Sequence, residues 1–518
     1  MARGLLGHGT GPHSLRLRCE FVLEEAVVIG YIVCVVRMSA GSFERIAVMR
    51  HSKTGACSDL SFSRREFMQQ AATAAAFTVV PQHVLGGQAG TAPSEKLNIA
   101  AVGIGGVGRS FLQGCASDEA ARIAFLCDVD SQYAKPVFEE YPQAKRYRDY
   151  REMLDKESGT DAVLVATPDH THAVITMEAM RKGKHVLCVK PLTRTIHEAR
   201  TVAEAARKAG VATQVTAASS TNESASRLCE MIWDGAIGEI REVHCWSNRP
   251  LWPQGMDRPQ GSDPVPANLD WDLWIGPAPM RPFKEKWGKD HLVMKQAKYD
   301  YPYDAVYHPW NFRGWWDFGT GALGDMGCHH FNTLFRALKL GHPTSVSASS
   351  TKAMSEATPL ASTVTWEFPA REGMPPVTLH WHDGGIKPPR PSELEDSRDW
   401  PDEGNLYVGN KGKILGNVDN GRIIPDLKMQ SYTLPPKTLT RSNYKNIATG
   451  EWLAACRGGP RASCNFDVGG LLAEVVLLGN IAIRRGRRLY WDAAGMTFTN
   501  DEEANRYVRE PYRDGWRL

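Results

Sequence analysis

A chain of 518 residues is too long for one ordinary hydrophobic core, so two globular domains with additional segments are expected. Apolar residues at 42% and charged residues at 23% exclude wholesale disorder, and a net charge of +3 gives no footprint for nucleic acid or an anionic membrane. Eleven cysteines without one closely spaced pair offer neither a zinc-finger nor a dithiol motif, and buried thiols are the simpler reading.

In chain order, residues 1–60 are rich in Arg and Gly, and their apolar run at 27–36 is too short to span a bilayer. Residues 61–93 read as a leader and linker. Ser63-Arg64-Arg65-Glu66-Phe67-Met68 followed by a mildly apolar, Ala-rich stretch resembles a twin-arginine export signal. An export signal belongs near an amino terminus, which makes residues 1–60 a mis-assigned or disordered extension, with Met49 the better start and cleavage between Gly86 and Ser94. The expected location is the periplasm, with no integral membrane span in the mature protein.

Residues 94–217 carry strands alternating with helices. A buried strand at 97–102 runs into Gly103-Ile104-Gly105-Gly106-Val107-Gly108, and a helical segment follows. That glycine pattern is informative because it lies between strand and helix, where a tight turn, close approach of a diphosphate and helix–strand packing each need a glycine. A second strand at 122–127 ends in Asp128, placed to accept the ribose hydroxyls of an adenosine, so NAD is expected ahead of NADP. Further strands at 161–167, 185–190 and 211–216 alternate with helices at 171–182 and 196–209. The pattern predicts a doubly wound parallel sheet of Rossmann type, whose carboxyl edge carries Gly103, Asp128, Thr167-Pro168 and Lys190-Pro191.

Residues 218–518 change period. A helix at 223–233 precedes strands at 240–245, 345–350, 362–368, 377–381 and 405–408, with a turn at Asn410-Lys411-Gly412. This predicts an α+β domain with a largely antiparallel open sheet, making the whole chain α/β. Between Trp246 and Trp316 lie eight of the fifteen tryptophans, with Arg249, Arg258 and Arg313. They suit either a carbohydrate pocket, where aromatic faces stack on sugar rings, or a loop packing its own small core. In Gly324-Asp325-Met326-Gly327-Cys328-His329-His330, Asp325 and His329 stand four apart and share one helix face. A metal held by Cys328, His329, His330 and His308 is disfavoured, because contiguous side chains cannot all face one ion, and no metal is expected.

Thr167-Pro168-Asp169-His170-Thr171-His172, Ala179, Gly183-Lys184-His185-Val186 and Lys190-Pro191-Leu192 together resemble the glucose-fructose oxidoreductase / inositol dehydrogenase / rhizopine catabolism family (Gfo/Idh/MocA). The likeness is strongest over 96–192 and 310–338. It implies cofactor contacts from the glycine loop (residues 103–108), Asp128, Thr167, Pro168, His172 and Lys190. It also implies Lys190 near nicotinamide and substrate, His329 as acid/base, and Asp325 as substrate binder or orienter. Arg313, Asp325, His329 and His330 complete the implied substrate contacts, with His330 the alternative acid/base. The family usually has Glu before the lysine, and this chain has Val189, so one carboxylate is missing. Asn332 stands where relatives often carry Asp.

The implied activity is NAD(P)-dependent hydride transfer at a hydroxyl carbon of a sugar, polyol or glycoside, in a dimer or tetramer whose contact would cover an apolar sheet face. Two alternatives stay open. One is a redox-neutral enzyme holding its NAD tightly, either a coupled sugar oxidoreductase or a glycosidase acting by oxidation, elimination and reduction. The other is a non-catalytic sugar-binding protein. Export bears on the choice, since no NADH pool exists outside the cytoplasm to recycle a released cofactor.

Overall fold

The computed structural model describes residues 96–296 and 304–518. The expected extension, export signal and cleavage region, with Cys19, Cys34 and Cys57, lie outside the described residues.

Six strands, β1 (Leu97–Val102), β2 (Ala121–Cys127), β3 (Lys145–Tyr147), β4 (Ala162–Val165), β5 (His185–Cys188) and β6 (Thr213–Val215), form the first sheet. Their order is β3-β2-β1-β4-β5-β6, and every pair is parallel. β4 is buried along its whole length because helices cover both sheet faces, which is why such strands read as unbroken apolar runs. The helix Ile196–Ala209 shows how locally determined these elements are. Thr195 and Glu198 close a capping box at its start, and Gly210 ends it with φ 64°. Short strand β3 and the helices Lys135–Glu140 and Tyr150–Lys156 escaped the sequence reading, being too short to display a period.

The second sheet has nine strands: β7 (Ile240–Trp246), β8 (Ser345–Ser350), β9 (Ser362–Phe368), β10 (Val377–His382), β11 (Gly404–Gly409), β12 (Lys413–Gly416), β13 (Arg422–Ile424), β14 (Leu489–Asp492) and β15 (Thr497–Phe498). Their order is β13-β12-β11-β7-β10-β9-β8-β14-β15, antiparallel except where β7 runs parallel to β10. Two helices, Gly321–Leu338 and Phe466–Arg485, cover one face. Gly327 and Gly479 let them approach, since a Cβ on either would lie 2.8 Å from Val476 or 2.6 Å from Leu323 and Trp366. Phe466–Arg485 is long and apolar enough to cross a membrane, yet it is a core helix with 83% of its apolar window buried.

The other face of this sheet differs from the expected apolar surface. Along β9 and β10 the outward residues are Thr363, Thr365, Glu367, Thr378, His380 and His382, alternating with buried Val364, Trp366, Leu379 and Trp381. Apolar cover is confined to the β11–β13 end, where Trp246, Leu394, Leu406, Leu415 and Ile424 pack with Trp400.

The carboxyl-terminal part also returns to the first sheet. Trp452 and Leu453 join the core of Ile99, Leu112 and Leu164, and Val215 N–H donates to the Cys464 carbonyl at 2.8 Å. All eight cysteines among the described residues are free, and all but Cys456 are buried.

Candidate active site

The carboxyl ends of β1, β2, β4 and β5 open into a cavity of about 400 Å³ whose other wall comes from the second half of the chain. Glycine shapes its floor. Gly103 has φ 76°, and a Cβ there would lie 2.7 Å from the Ala166 carbonyl at the end of β4. A Cβ on Gly108 would strike the Gly103 carbonyl oxygen at 2.1 Å, so the helix Gly106–Ala116 reaches the strand only without a side chain there. Gly105, Gly106 and Val107 face the cavity. Ile104 instead buries its side chain in the core and donates its N–H to Asp128 Oδ2 at 3.0 Å. Asp128 lines the cavity at the end of β2, its other oxygen accepting from the Asp130 N–H at 3.0 Å. Burial pushes its carboxyl above the usual range.

Tyr133, which the sequence reading missed, lies over this loop: a Cβ on Gly105 would meet its ring at 2.1 Å. Its ring contacts the edge of His308, which in turn reaches Asp130 Oδ2 at 3.1 Å.

Thr167 and Pro168 line the cavity, with Thr171 Oγ1 donating to Thr167 Oγ1 at 2.7 Å. His172 does not. It is fully buried, with Nδ1 2.8 Å from the Pro191 carbonyl and Nε2 2.7 Å from the Thr167 carbonyl. Two carbonyl acceptors call for two N–H donors. Burial opposes the charge, but Cys188, Asp169 and the Pro191 carbonyl together raise its pKa to about 9. The expected cofactor contact is therefore a clamp joining the β4 and β5 loops behind the cavity.

Lys190 Nζ donates to Asp325 Oδ1 at 2.6 Å and to the Asp325 carbonyl at 2.5 Å. Arg313 Nε donates to the same Oδ1 at 3.0 Å, and its guanidinium stacks 3.9 Å over the Trp310 ring. Burial opposes ionisation of Asp325, yet the two cations hold its carboxyl well below the usual carboxylate range. Val189 lines the cavity as an alkyl group, so the carboxylate beside Lys190 comes from Asp325, across the cleft.

One helical turn on, His329 lines the same cavity. Burial first, then the Lys190 charge, lower its pKa to about 3, leaving a neutral imidazole. His330 points away into the core, with Nδ1 2.7 Å from Asn405 Oδ1 and Nε2 3.2 Å from Glu403 Oε1. This takes it out of the substrate contacts, and adjacent helical residues diverge by about 100°. Asn332 donates to the Ala218 carbonyl at 2.7 Å, a structural bond.

Asp169 is a second missed residue. It opens the helix Asp169–Arg181, lines the cavity while almost wholly buried, and accepts from Thr320 Oγ1 at 2.7 Å. Burial raises its carboxyl pKa. Its signal was present in the sequence, an acid at a helix start directly after the strand-end Thr167-Pro168.

The aromatic segment divides. Trp271, Trp274, Trp287 and Trp315 build a separate core with Phe283, Tyr307 and Phe318. Trp274 and Trp310 also reach the cavity, as do Arg249 and Arg313, whereas Arg258 pairs with Glu356 at the surface.

The cavity fits a dinucleotide: a glycine cradle at a helix amino terminus, a carboxylate at the end of the next strand, and a lysine and histidine beyond.

The sequence matches two family models. One, described as oxidoreductase family, NAD-binding Rossmann fold, covers residues 97–217. The other, oxidoreductase family, C-terminal alpha/beta domain, covers 252–370 and 394–518. Inositol 2-dehydrogenase of Arthrobacter sp. (strain FB24) is 30% identical over 165 residues, which is 32% of this chain and 49% of that protein. The chain thus spans about half the length of the curated relatives it matches. Among solved structures, the WlbA dehydrogenase from Bordetella pertussis in complex with NADH and UDP-GlcNAcA aligns with TM-score 0.52 at 17% identity, over 77% of this chain and 99% of that one. The aldose-aldose oxidoreductase from Caulobacter crescentus complexed with glycerol aligns with TM-score 0.50 at 18% identity, over 76% and 100%.

Proposed function

From the premise that the chain belongs to the Gfo/Idh/MocA oxidoreductase family, we propose that it interconverts a hydroxyl and a carbonyl on a sugar, polyol or glycoside with NAD(H). One observation carries this reading. Lys190, Asp325, Arg313 and His329 meet in a single cavity that begins at the glycine loop.

A nicotinamide bound there supplies hydride exchange at the hydroxyl carbon. The Gly105–Gly106 backbone and the following helix start hold the diphosphate. Asp128 takes the adenosine ribose, where a second phosphate would meet its carboxylate, so NAD is preferred over NADP. His329, neutral at neutral pH, accepts the hydroxyl proton during oxidation and returns it during reduction. Of the three N–H donors on Lys190, two are committed to Asp325, which leaves the third for a developing alkoxide. Arg313 and Lys190 keep Asp325 ionised, and Asp325 in turn fixes both cations. Arg249, Trp310 and Trp274 supply guanidinium and aromatic surfaces suited to a polyhydroxylated ring.

A second reading rests on the twin-arginine pattern at residues 63–68, which would send a folded protein to the periplasm. An exported enzyme would keep its cofactor and close its redox cycle internally, as a coupled sugar oxidoreductase or a glycosidase does. Purification without added cofactor, followed by denaturation and assay of the released nucleotide, separates the two. Near-stoichiometric NAD(H) favours the redox-neutral cycle. An empty protein that turns over with added NAD favours a dehydrogenase. A protein that binds neither NAD(H) nor NADP(H) sinks both.

A further inference from the structure

Outside the cavity, a group of chemically active side chains stands on the second sheet, apart from the active site. β7 and β10 run parallel at the centre of the second sheet, with His380 directly opposite His244 and Thr378 opposite Glu242. Side chains alternate along a strand, so Glu242 and His244 share the outer face with His380 and His382. Val243, Cys245, Leu379 and Trp381 point inward to the core. None of the four outer residues lines the active-site cavity.

Their geometry is that of a ligand set. Glu242 Oε1 lies 2.8 Å from His244 Nε2 and 3.6 Å from His380 Nε2, and one ligand atom from each of the three lies within 4.8 Å of the others. Tetrahedral zinc with arms of about 2.0–2.2 Å needs ligand atoms about 3.3–3.6 Å apart, so the Glu242–His380 pair already fits and the 2.8 Å Glu242–His244 pair opens by about half an ångström.

Without a cation His244 Nε2–H donates to the Glu242 carboxylate at 2.8 Å, and each ring has a partner at Nδ1 that can take the proton when a metal occupies Nε2. His380 Nδ1 lies 3.0 Å from Thr365 Oγ1, and His244 Nδ1 lies 3.4 Å from His382 Nε2. With a cation between the rings and Glu242, an N–H at each Nδ1 directed to those partners would leave both Nε2 lone pairs free for the ion. This is how outer partners commonly orient ligating histidines. The imidazoles of His244 and His380 stack with centroids 4.7 Å apart, too close for both to be charged at low cost. Among the described residues no lysine or arginine pairs with Glu242, so its charge is available to a cation.

We propose that Glu242, His244 and His380 bind a divalent transition metal, zinc by its ligand chemistry, clipping β7 to β10 on the outer face of the second sheet, with solvent in the fourth position. Two imidazoles and a carboxylate suit zinc better than the hard cations calcium and magnesium.

The test uses the full chain, stripped with chelator and titrated with zinc chloride by calorimetry at pH 7.5, in parallel with His244→Thr/His380→Thr. Threonine continues the existing threonine ladder of this face and leaves the cavity untouched, so the variant should fold and keep its basal activity. The expected result is one saturable site per chain, weakened at least about 100-fold in the variant. The melting temperature of the parent should rise with zinc and that of the variant should not. Cobalt(II) should give the intense visible absorption of a tetrahedral site in the parent alone. No saturable binding, or binding and absorption unchanged in the variant, overturns the proposal. If the variant proves misfolded, Glu242→Gln on the exposed rim decides: retained affinity and an unchanged cobalt spectrum overturn it too.

Discussion

Lys190 and His329 line one cavity, Lys190 bound to Asp325 and His329 one helical turn beyond that aspartate. Removing either should leave the fold intact, since both side chains line the cavity. Lys190→Ala deletes the donor to a developing alkoxide, and turnover should fall by about 10²–10³-fold. His329→Ala deletes the proton acceptor, and turnover should fall by about 10²–10⁴-fold. Steady-state rates alongside far-ultraviolet circular dichroism check both, and full activity in either variant removes that residue from the mechanism. His330→Asn should act differently, because His330 bridges Asn405 and Glu403 inside the core. It should lower the melting temperature.

His329 also carries a pH signature. Unfolded, it titrates near 6.5, whereas in the fold burial and the Lys190 charge hold it at about 3. On acidification from pH 7 the unfolded chain takes up a proton that the folded site refuses. Stability therefore falls as pH drops through 6.5 towards 3, and is level above that window. At pH 5, 1.5 units below 6.5, this amounts to about 2 kcal/mol at most. His329→Gln should lose that much less than the parent between pH 7 and pH 5, measured by urea unfolding at the two pH values. An identical loss in both proteins would mean that His329 is protonated in the folded site.

At the scale of elements, the helix Ile196–Ala209 ties the carboxyl-terminal segment to the first domain. Glu198, besides closing the capping box with Thr195, accepts from the Arg194 N–H and, at 2.5 Å, from the Tyr512 hydroxyl. Thr195→Ala should cost about 1 kcal/mol, the ordinary value for a helix cap. Glu198→Ala should cost clearly more, about 2–3 kcal/mol, because it strands two backbone N–H groups and a phenol in a buried place. Chemical denaturation of the two variants orders them, and the reverse order would show that the network contributes less than the cap alone.

For the molecule as a whole, the described halves are laced rather than merely joined. Residues 447–466 pack on the first sheet, and Glu474, on the core helix of the second, pairs with Arg200 on a helix of the first. One cooperative unfolding transition is expected, with tryptophan fluorescence and circular dichroism coinciding. Bound cofactor should raise its midpoint, by about 2.7 kcal/mol of stabilisation at a hundredfold excess over Kd. Two separated transitions would mean that the halves fold independently.

The local signals sufficed for the parallel sheet. Glycine at 103–108, Asp128 at a strand end and alternating apolar runs each reflect constraints acting within a few residues, which a sequence displays directly. The same holds for Asp325 and His329, one helical turn apart. What the chain could not reveal by itself was direction across space. His329 and His330 are chemically equal in sequence, and only the packing of the Gly321–Leu338 helix against β11 turns one to the cavity and the other to Asn405. His172 looked like a cofactor contact until two carbonyls from separate loops enclosed it. Val189 looked like a missing carboxylate until Asp325 supplied one to Lys190 from 135 residues away. The histidine cluster on β7 and β10 needs the same long-range register. Residues adjacent in sequence share their surroundings by covalent geometry, whereas residues far apart meet only through the tertiary fold.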